Sequence, residues 1–261
     1  MSRHWTEKLF IENSELFRST IDAKFNKTER EVEGLLKILE EYGAKPGGLI
    51  LDLGCGIGRV SIPLAKMGYN VVGVDLSPSY IQDAKKYAEK ENVSEKTSFF
   101  VGDMREISNV LNEYSSCFNA VINMWTSMGY WDEETDIQIM KKCKELVKPE
   151  GIFIMQTANR DYLIDNLAPR DYADEADMIV LMDHNLDLET SRVVNYWSYY
   201  KKNEKSLQFL GKIEINHRVY SLHEIIRQFQ TSGWKILAYY GGLDQRKFTI
   251  KTHGMVVIAT I

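Results

Sequence analysis

The chain has 261 residues, of which 44% are hydrophobic and 26% are charged, and its formal net charge at pH 7 is −5. This length and composition suit one large α/β domain with a small appendage, and the acidic balance disfavours a nucleic-acid-binding surface. No apolar run approaches the roughly 18 residues that a membrane-spanning helix needs. The stretch MSRHWTEKLF lacks the apolar core of a signal peptide, and the 3 cysteines show no paired spacing. We therefore expect a cytoplasmic protein without nucleic-acid or membrane partners.

The first predicted unit is helical and covers residues 1–45. The stretch that begins at Thr28 repeats apolar residues at helical spacing, and Glu31 follows Thr28 in the pattern of a capping box. We expect an earlier helix around Trp5–Phe17. This unit is predicted to act as a helical lid.

Alternating strands and helices predict the second unit, the core. Five short apolar runs are separated by helical stretches, and they read GLILDLG, YNVVGVDL, TSFFVGD, FNAVINMW and GIFIMQTA. Such continuous apolar strands are typical of a parallel sheet that is covered by helices on both faces. Near the end of the chain, a helix with a capping pattern at Ser221 and Glu224 precedes two further strands. We therefore predict a doubly wound α/β core that is formed by residues 46–175 and 220–261.

The third predicted unit, residues 176–219, differs from the core in its amino-acid composition. It is rich in valine, isoleucine and aromatic residues, and the polar segments DLETS and KKNEK interrupt it. This pattern predicts three antiparallel strands, inserted after the fifth strand of the core. So small a sheet needs a packing partner, and we expect it to form a β cap over the ligand-binding edge of the core, together with the amino-terminal helix. The alternative is that this sheet mediates a homodimer.

A glycine-rich loop follows the first strand of the core. The segment LDLGCGIG places Gly54, Gly56 and Gly58 directly behind the strand, which ends near Asp52. Glycines cost conformational entropy on folding, so this loop is expected to bring its backbone close to a ligand. The dinucleotide fingerprint would place a third glycine where this chain has Arg59. A carboxylate is unfavourable beside a pyrophosphate, whereas it suits a ligand that carries positive charge.

Two further carboxylates follow the next two strands. Asp75 ends the run VVGVDLS, and Asp103 lies in VGDM after the third strand. A carboxylate at the end of the second strand can accept hydrogen bonds from both hydroxyls of a ribose, and Asp103 can accept one from an adenine amine. Because the carboxyl ends of parallel strands share one edge of the sheet, these acids and the glycine loop are predicted to lie at one site.

Residues 49–158 resemble the class I S-adenosylmethionine-dependent methyltransferases, with LDLGCGIG matching their first motif almost letter for letter. The resemblance implies a Rossmann-like, seven-stranded sheet whose last strand is antiparallel. It also implies S-adenosyl-L-methionine as cofactor and S-adenosyl-L-homocysteine as product. Residues 99–131 and 218–242 are more loosely similar to sugar-amine N,N-dimethyltransferases and glycine N-methyltransferase-type enzymes, which implies a small-molecule acceptor.

The resemblance further implies roles for residues at the matching positions. The cofactor's methionine moiety is expected near the first motif and the end of the fourth strand, and its ribose and adenine are expected near the second and third strands. An arginine from the amino-terminal region is expected to bind its carboxylate. The implied cofactor-binding residues are Asp52, Gly54, Cys55, Gly56, Gly58, Asp75, Leu76, Asp103, Met104, Asn123 and Arg30.

The sequence does not decide whether the acceptor atom is N or O, or whether a general base is used. The candidate catalytic residues are Tyr130, His217 and Tyr220, and Trp125 and Trp131 are also expected at the ligand edge. We predict no metal site, because the sequence lacks an HExxH motif. Two alternatives remain: an NAD(P)-dependent oxidoreductase, and a non-catalytic module that binds S-adenosylmethionine.

Overall fold

The computed structural model describes residues 3–261, apart from the side chain of Asn26. The α-helices are α1 (Trp5–Glu7), α2 (Ser14–Asp22), α3 (Phe25–Glu41), α4 (Ser61–Lys66), α5 (Pro78–Lys90), α6 (Ile107–Val110), α7 (Glu133–Leu146), α8 (Arg160–Asn166) and α9 (Leu222–Thr231). A π-helix spans Lys8–Glu12, and 3₁₀ turns span Ser94–Lys96, Met104–Glu106 and Asn112–Tyr114. None of the helices found between residues 3 and 261 combines the length and apolarity that crossing a membrane requires.

The β-strands form two separate sheets. The strands are β1 (Leu49–Leu53), β2 (Asn70–Asp75), β3 (Thr97–Val101), β4 (Phe118–Asn123), β5 (Val147–Ala158), β6 (Arg170–Glu175), β7 (Met178–Asp187), β8 (Arg192–Asn203), β9 (Ser206–Arg218), β10 (Lys235–Tyr240) and β11 (Gly254–Thr260). The first sheet has 7 strands in the order β10-β11-β5-β4-β1-β2-β3. Its strands are parallel except for β11, which is antiparallel to both neighbours. The predicted doubly wound sheet with an antiparallel last strand is confirmed.

The first sheet is buried on both faces, because β1, β2, β4, β5 and β11 consist largely of fully buried apolar residues. Helices α3, α4 and α5 pack on one face, and α7 and α9 pack on the other. The chain order reverses between β1 and β4, so the connections that follow these two strands diverge to opposite sides of the sheet. In open α/β sheets, ligands bind in the crevice at such a point.

The second sheet is antiparallel, has 4 strands in the order β6-β7-β8-β9, and follows β5 as predicted. The three strands predicted within residues 176–219 are confirmed as β7, β8 and β9, and β6, which precedes that range, adds a fourth strand to the sheet. The segment RDYADE that forms β6 has little apolar character, and its pairing with β7 makes it a strand. The expected turns at DLETS and KKNEK do connect β7 to β8 and β8 to β9. The boundaries of the three units stay a prediction.

Side-chain caps account for several helix starts. In α9, Ser221 and Glu224 form the expected capping box. In α7, Asp132 accepts a hydrogen bond from the backbone of Thr135, and acidic residues fill the first turn. The capping box expected at Thr28 is wrong, because α3 already begins at Phe25. The Thr28 hydroxyl instead donates to the carbonyl of Lys24 inside the helix.

The amino-terminal segment, residues 4–22, packs on the second sheet. Trp5 and Leu9 are buried against Met178, Val180 and Tyr199 on one face of that sheet. An aromatic side chain buries roughly 150–250 Å² of surface, so these contacts help to hold the short α1 and the π-helix in place. The second sheet therefore supplies the packing partner that the segment lacks on its own.

A buried acid joins α7 to the segment that leads into α9. The Asp136 side chain is fully buried, and the Tyr220 hydroxyl donates to its Oδ2 atom at 2.6 Å. Burial raises the pKa of Asp136 to about 6. A carboxyl whose pKa is raised by folding stabilises the protein below its unfolded pKa, and this stabilisation is lost as the pH rises through the folded pKa.

We predict that Asp136→Asn removes this pH dependence, because the amide oxygen still accepts from Tyr220 but cannot ionise. The free energy of unfolding of the variant minus that of the wild type should rise by about 2–3 kcal/mol between pH 4 and pH 7, since each tenfold difference in proton affinity is worth about 1.4 kcal/mol. Urea denaturation at several pH values measures it. As a control, Asp132→Asn should show no such rise, because hydrogen bonds from Thr135 lower the pKa of that exposed carboxyl. A flat difference for Asp136→Asn would show that the buried carboxyl is not neutral at pH 4–6.

Candidate functional site

A cavity of about 120 Å³ lies at the carboxyl ends of β1, β2, β3 and β4. Its walls come from the loops that follow these strands and from the amino-terminal segment. The wall residues from the core include Asp52, Gly54, Cys55, Gly56, Arg59, Asp75, Leu76, Asp103, Met104, Trp125, Ser127, Tyr130 and Trp131, and those from the amino-terminal segment are Thr6, Phe10, Phe17 and Ile21. The structure therefore brings most of the predicted cofactor-binding residues to one place.

The glycine loop reaches the cavity through two of its three glycines. Gly54 and Gly56 line it with positive φ angles of 83° and 55°. A Cβ on Gly56 would meet no atom within 4 Å, whereas a Cβ on Gly58 would lie 3.0 Å from Ile62 and 3.3 Å from Phe99. Gly58 thus permits close packing of α4 on the sheet, and it does not line the cavity. The open space beside Gly56 is a cradle that a side chain would fill.

The loop is held in place by the end of β2. The backbone N–H groups of Gly54 and Cys55 both donate to the carbonyl of Val74, at 2.8 and 3.1 Å. The Asp75 carboxylate accepts from the backbone N–H of Gly56 at 2.8 Å through Oδ2, and from that of Ser77 at 2.9 Å through Oδ1. Burial raises the pKa of Asp75. A carboxylate has about four acceptor positions, so each oxygen of Asp75 can accept a further hydrogen bond from a ligand.

Asp52 is a second carboxyl at the cavity wall. It is almost fully buried, and its Oδ2 accepts from the Ser61 hydroxyl at 2.6 Å. Burial, with an added contribution from the charge of Asp75, raises its pKa to about 6. A cationic group in the cavity would favour the ionised form of Asp52, because an opposite charge lowers the pKa of a carboxyl.

The third acid, Asp103, also lines the cavity, and it is already engaged within the chain. It caps the 3₁₀ turn after β3, and its Oδ2 accepts from the guanidinium of Arg105 at 2.6 Å. The same guanidinium lies 4.6 Å from the centre of the Trp131 ring. Asp103 is therefore held at the cavity wall by Arg105, with Met104 beside it.

The structure gives different positions to two arginines near the site. Arg30, the predicted partner of the cofactor carboxylate, lines a neighbouring groove and not this cavity. Arg59 does line it, and within residues 3–261 it is the single basic side chain in the wall. Its Nη1 donates to Glu31 at 2.5 Å and to Thr28 at 3.0 Å. In the sequence, Arg59 stands out only as a departure from a glycine, because its partners on α3 lie too far along the chain for any local signal.

Asn123 also differs from the expectation that it serves the cofactor. It ends β4 and is fully buried, and its Nδ2 donates to the carbonyl of Leu53 at 2.9 Å. It therefore ties the ends of β1 and β4 together where the connections that follow them diverge. Asn123 is not among the residues that line the cavity.

Of the three candidate catalytic residues, the cavity wall includes only Tyr130. Burial raises the pKa of Tyr130, so its hydroxyl is neutral at physiological pH. His217 lies behind it, with ring centres 6.2 Å apart, and burial lowers the pKa of His217 to about 4. Tyr220 lies in the helix layer and donates to Asp136. The expected aromatic residues Trp125 and Trp131 both line the cavity.

Several wall residues had not been assigned to the site from the sequence. These are Thr6, Ile21, Ile57, Arg59, Val60, Val74, Tyr80, Gly102, Met124 and Ser127. Most are apolar residues whose helical or strand spacing predicts core positions, so nothing in the sequence marks them as ligand-facing. In the described part of the chain, no three histidine, cysteine, aspartate or glutamate side chains form a group that could hold a metal ion.

Known sequences resemble this chain over part of its length. Residues 50–151 match the family model described as a methyltransferase domain. A putative methyltransferase of Geobacillus sp. (strain WCH70) is 33% identical over 132 residues, which is 50% of each chain. A ubiquinone biosynthesis O-methyltransferase of Coxiella burnetii is 34% identical over 128 residues, 49% of this chain and 50% of that protein. The chain thus matches these curated relatives over about half of their length.

Solved structures match over nearly the whole chain at low sequence identity. An S-adenosylmethionine-dependent methyltransferase from Clostridium acetobutylicum has a TM-score of 0.77 and 17% identity, over 89% of this chain and 91% of that one. CalS10, an amino pentose methyltransferase from Micromonospora echinaspora, has a TM-score of 0.70 and 13% identity, over 94% and 96%. At such identity these likenesses show the fold. Residues 50–151 therefore match the methyltransferase domain family model, and the chain has the same fold as these S-adenosylmethionine-dependent methyltransferases.

Proposed function

We propose that the protein transfers a methyl group from S-adenosyl-L-methionine to a nitrogen or oxygen atom of a small molecule. The observation that carries this proposal is the cavity wall, which combines the open backbone at Gly56 with acids at the ends of β1, β2 and β3. The family match of residues 50–151 supports the same reading.

The residues of the wall fit the chemical groups of this cofactor. Asp75 has free acceptor positions for the two ribose hydroxyls, and we propose that Asp103 and Met104, which line the cavity, contact the adenine. Asp52 suits the ammonium and sulfonium charges, while Arg59 suits the carboxylate. We assign Arg59 this role in place of Arg30, because Arg30 does not reach the cavity wall.

When bound, the cofactor supplies a methyl group on a positively charged sulfur, which is a good leaving group. The protein's task is then to align the acceptor and to exclude water, and such positioning can supply roughly 7–11 kcal/mol of the barrier. Tyr130 is the candidate to orient an acceptor, since its hydroxyl is neutral and its ring lines the cavity. An amine acceptor needs only to be unprotonated, whereas a hydroxyl acceptor usually needs a general base.

Calorimetry tests the proposal directly. The protein should bind S-adenosyl-L-methionine and S-adenosyl-L-homocysteine and should give no heat with NAD(H) or NADP(H). Absence of binding to the sulfonium cofactor would contradict the proposal, and binding of the nicotinamide cofactor would support the oxidoreductase alternative. Transfer of a tritiated methyl group into a pooled metabolite library then separates an enzyme from a non-catalytic binding module.

We predict that Asp75→Ala weakens cofactor binding by about 1.5–3 kcal/mol, the scale of hydrogen bonds to a charged group. Asp75→Asn should lose less, because the amide oxygen can still accept one of the two backbone hydrogen bonds that the loop donates. Calorimetry measures both, and circular dichroism checks that the fold survives. Asp165→Ala, at an exposed position on α8, is the matched control and should bind as the wild type does. Equal affinity for Asp75→Ala and the control would remove Asp75 from the site.

The amino-terminal segment is proposed to act as a lid. The cavity of about 120 Å³ is smaller than the ~300 Å³ or more that small-molecule sites usually have, so a ligand needs the segment to move. Phe10 and Phe17 face the cavity, and their rings lie 5.7 Å apart. The second sheet contributes no wall residue within the described chain, and we propose that it holds the lid in place through Trp5 and Leu9.

We predict that Phe10→Ala accelerates dissociation of S-adenosyl-L-homocysteine by about tenfold, because changes in affinity within one site appear mostly in the dissociation rate. Stopped-flow fluorescence measures this rate. Ile11→Ala is the matched control in the same π-helix, since Ile11 is exposed and does not line the cavity. If both variants release the ligand at the wild-type rate, the segment is not a lid.

A further inference from the structure

A second, larger recess lies beside the cavity. It is a groove of about 900 Å³ between α3 and residues 241–246, and its floor is the end of β5 with the start of β11. Trp125 lines both the groove and the cavity, so this side chain is the boundary that the two recesses share. Nothing in the proposed roles of the cavity residues accounts for this groove.

The groove is a fixed feature of the fold. A Cβ on Gly34 of α3 would lie 2.6 Å from the carbonyl oxygen of Leu243, so the helix and the 241–246 segment approach as closely as a glycine allows. The hydroxyls of Tyr42 and Tyr240 are hydrogen-bonded at 2.8 Å, which joins the end of α3 to the end of β10. Both walls are therefore anchored to the core sheet.

The side chains that face the groove carry more positive charge than negative charge. Lys27, Arg30 and Lys37 lie along one side of α3, and in the described structure none of them makes an ion pair or a side-chain hydrogen bond. Two acids of the groove are already paired, Glu31 with Arg59 and Asp244 with Arg246. Glu33 is the remaining acid of the lining. This is a locally basic surface on a chain whose net charge is −5.

The wall between groove and cavity is held in a strained conformation. Trp125 and Thr126 have φ angles of 64° and 62°, which is unusual for bulky and β-branched residues. The Trp125 ring lies 4.8 Å from the guanidinium of Arg59 and 5.5 Å from the ammonium of Lys24. Such strain persists where the surroundings fix it, and it is concentrated at functional sites.

We infer that this groove binds the anionic group, a carboxylate or a phosphate, of the small-molecule acceptor. Lys27, Arg30 and Lys37 neutralise that group, and the far end of the molecule passes Trp125 to the cavity. Arg30 thus contacts the acceptor and not the cofactor. The assignment of the bound molecule as acceptor rests on the proposed methyltransferase function, whereas the anion site itself does not.

Calorimetry with a matched three-carbon series tests this inference. Glycerate carries a carboxylate, glycerol 3-phosphate carries a phosphate, and glycerol is the neutral counterpart. Each is titrated at low ionic strength into the protein alone and into the protein saturated with S-adenosyl-L-homocysteine. We expect at least one anion to bind and glycerol not to bind, and the stronger of the two identifies the preferred group. No binding by either anion would overturn the inference.

Charge reversal locates the site. The double variant Lys27→Glu and Arg30→Glu should weaken binding of the anion by about tenfold or more and should leave the affinity for S-adenosyl-L-homocysteine unchanged, because neither side chain lines the cavity. The double variant Lys85→Glu and Lys141→Glu, at exposed positions on α5 and α7 outside the groove, is the matched control for the change in net charge. An equal effect of the control would mean that the anion responds to overall charge only, and the inference would fail.

The two proposals fail separately in this design. If S-adenosyl-L-homocysteine does not bind while the anion does, the methyltransferase proposal fails and the anion site stands. If S-adenosyl-L-homocysteine binds while neither anion does, the anion site fails and the methyltransferase proposal stands.

Discussion

The site depends on the pair of hydrogen bonds that the Asp75 carboxylate accepts from the backbone N–H groups of Gly56 and Ser77. One bond holds the glycine loop after β1, and the other begins the turn into α5. These bonds compensate the cost of removing the carboxylate from water, which would otherwise favour its neutral form. They also fix the loop with the space beside Gly56 open, so the same residue shapes the cavity and faces its ligand.

Near Asp75, two adjacent recesses of the protein carry charges of opposite sign. The cavity has three acids and a single described basic residue, Arg59, whereas the groove has basic side chains without ion-pair partners. Trp125 lies between the two, and its ring stacks with Arg59 from the cavity side. A cationic cofactor and an anionic acceptor would each be attracted to its own recess. This attraction would direct the two ligands to different recesses without the help of a metal ion.

The second sheet and the amino-terminal segment depend on each other. Trp5 and Leu9 fill the apolar face of the sheet, while Phe10 and Phe17 turn toward the cavity. The π-helix Lys8–Glu12 carries residues of both kinds within five positions. Adjacent residues of a helix point in different directions around its axis, and this allows one short segment to contact two surfaces. Movement of the segment therefore involves the packing of the sheet as well as the opening of the cavity.

The sequence by itself determined the core sheet and the strand-end residues. Apolar runs with intervening helices specify parallel strands, and the order of Asp52, the glycines, Asp75 and Asp103 places them at one edge, because the carboxyl ends of parallel strands coincide. The capping box at Ser221 is equally local, since it needs only two side chains three residues apart. These features follow from periodicity and neighbouring residues.

Tertiary structure alone decided which of several plausible side chains reach the cavity. Arg59 and not Arg30 lines it, Gly58 packs on Ile62, and Asn123 joins β1 to β4. Strand β6 forms because β7 offers a pairing edge, although its own sequence is polar. In each case the outcome depends on contacts between residues distant in the chain, and such contacts leave no periodic trace in the sequence.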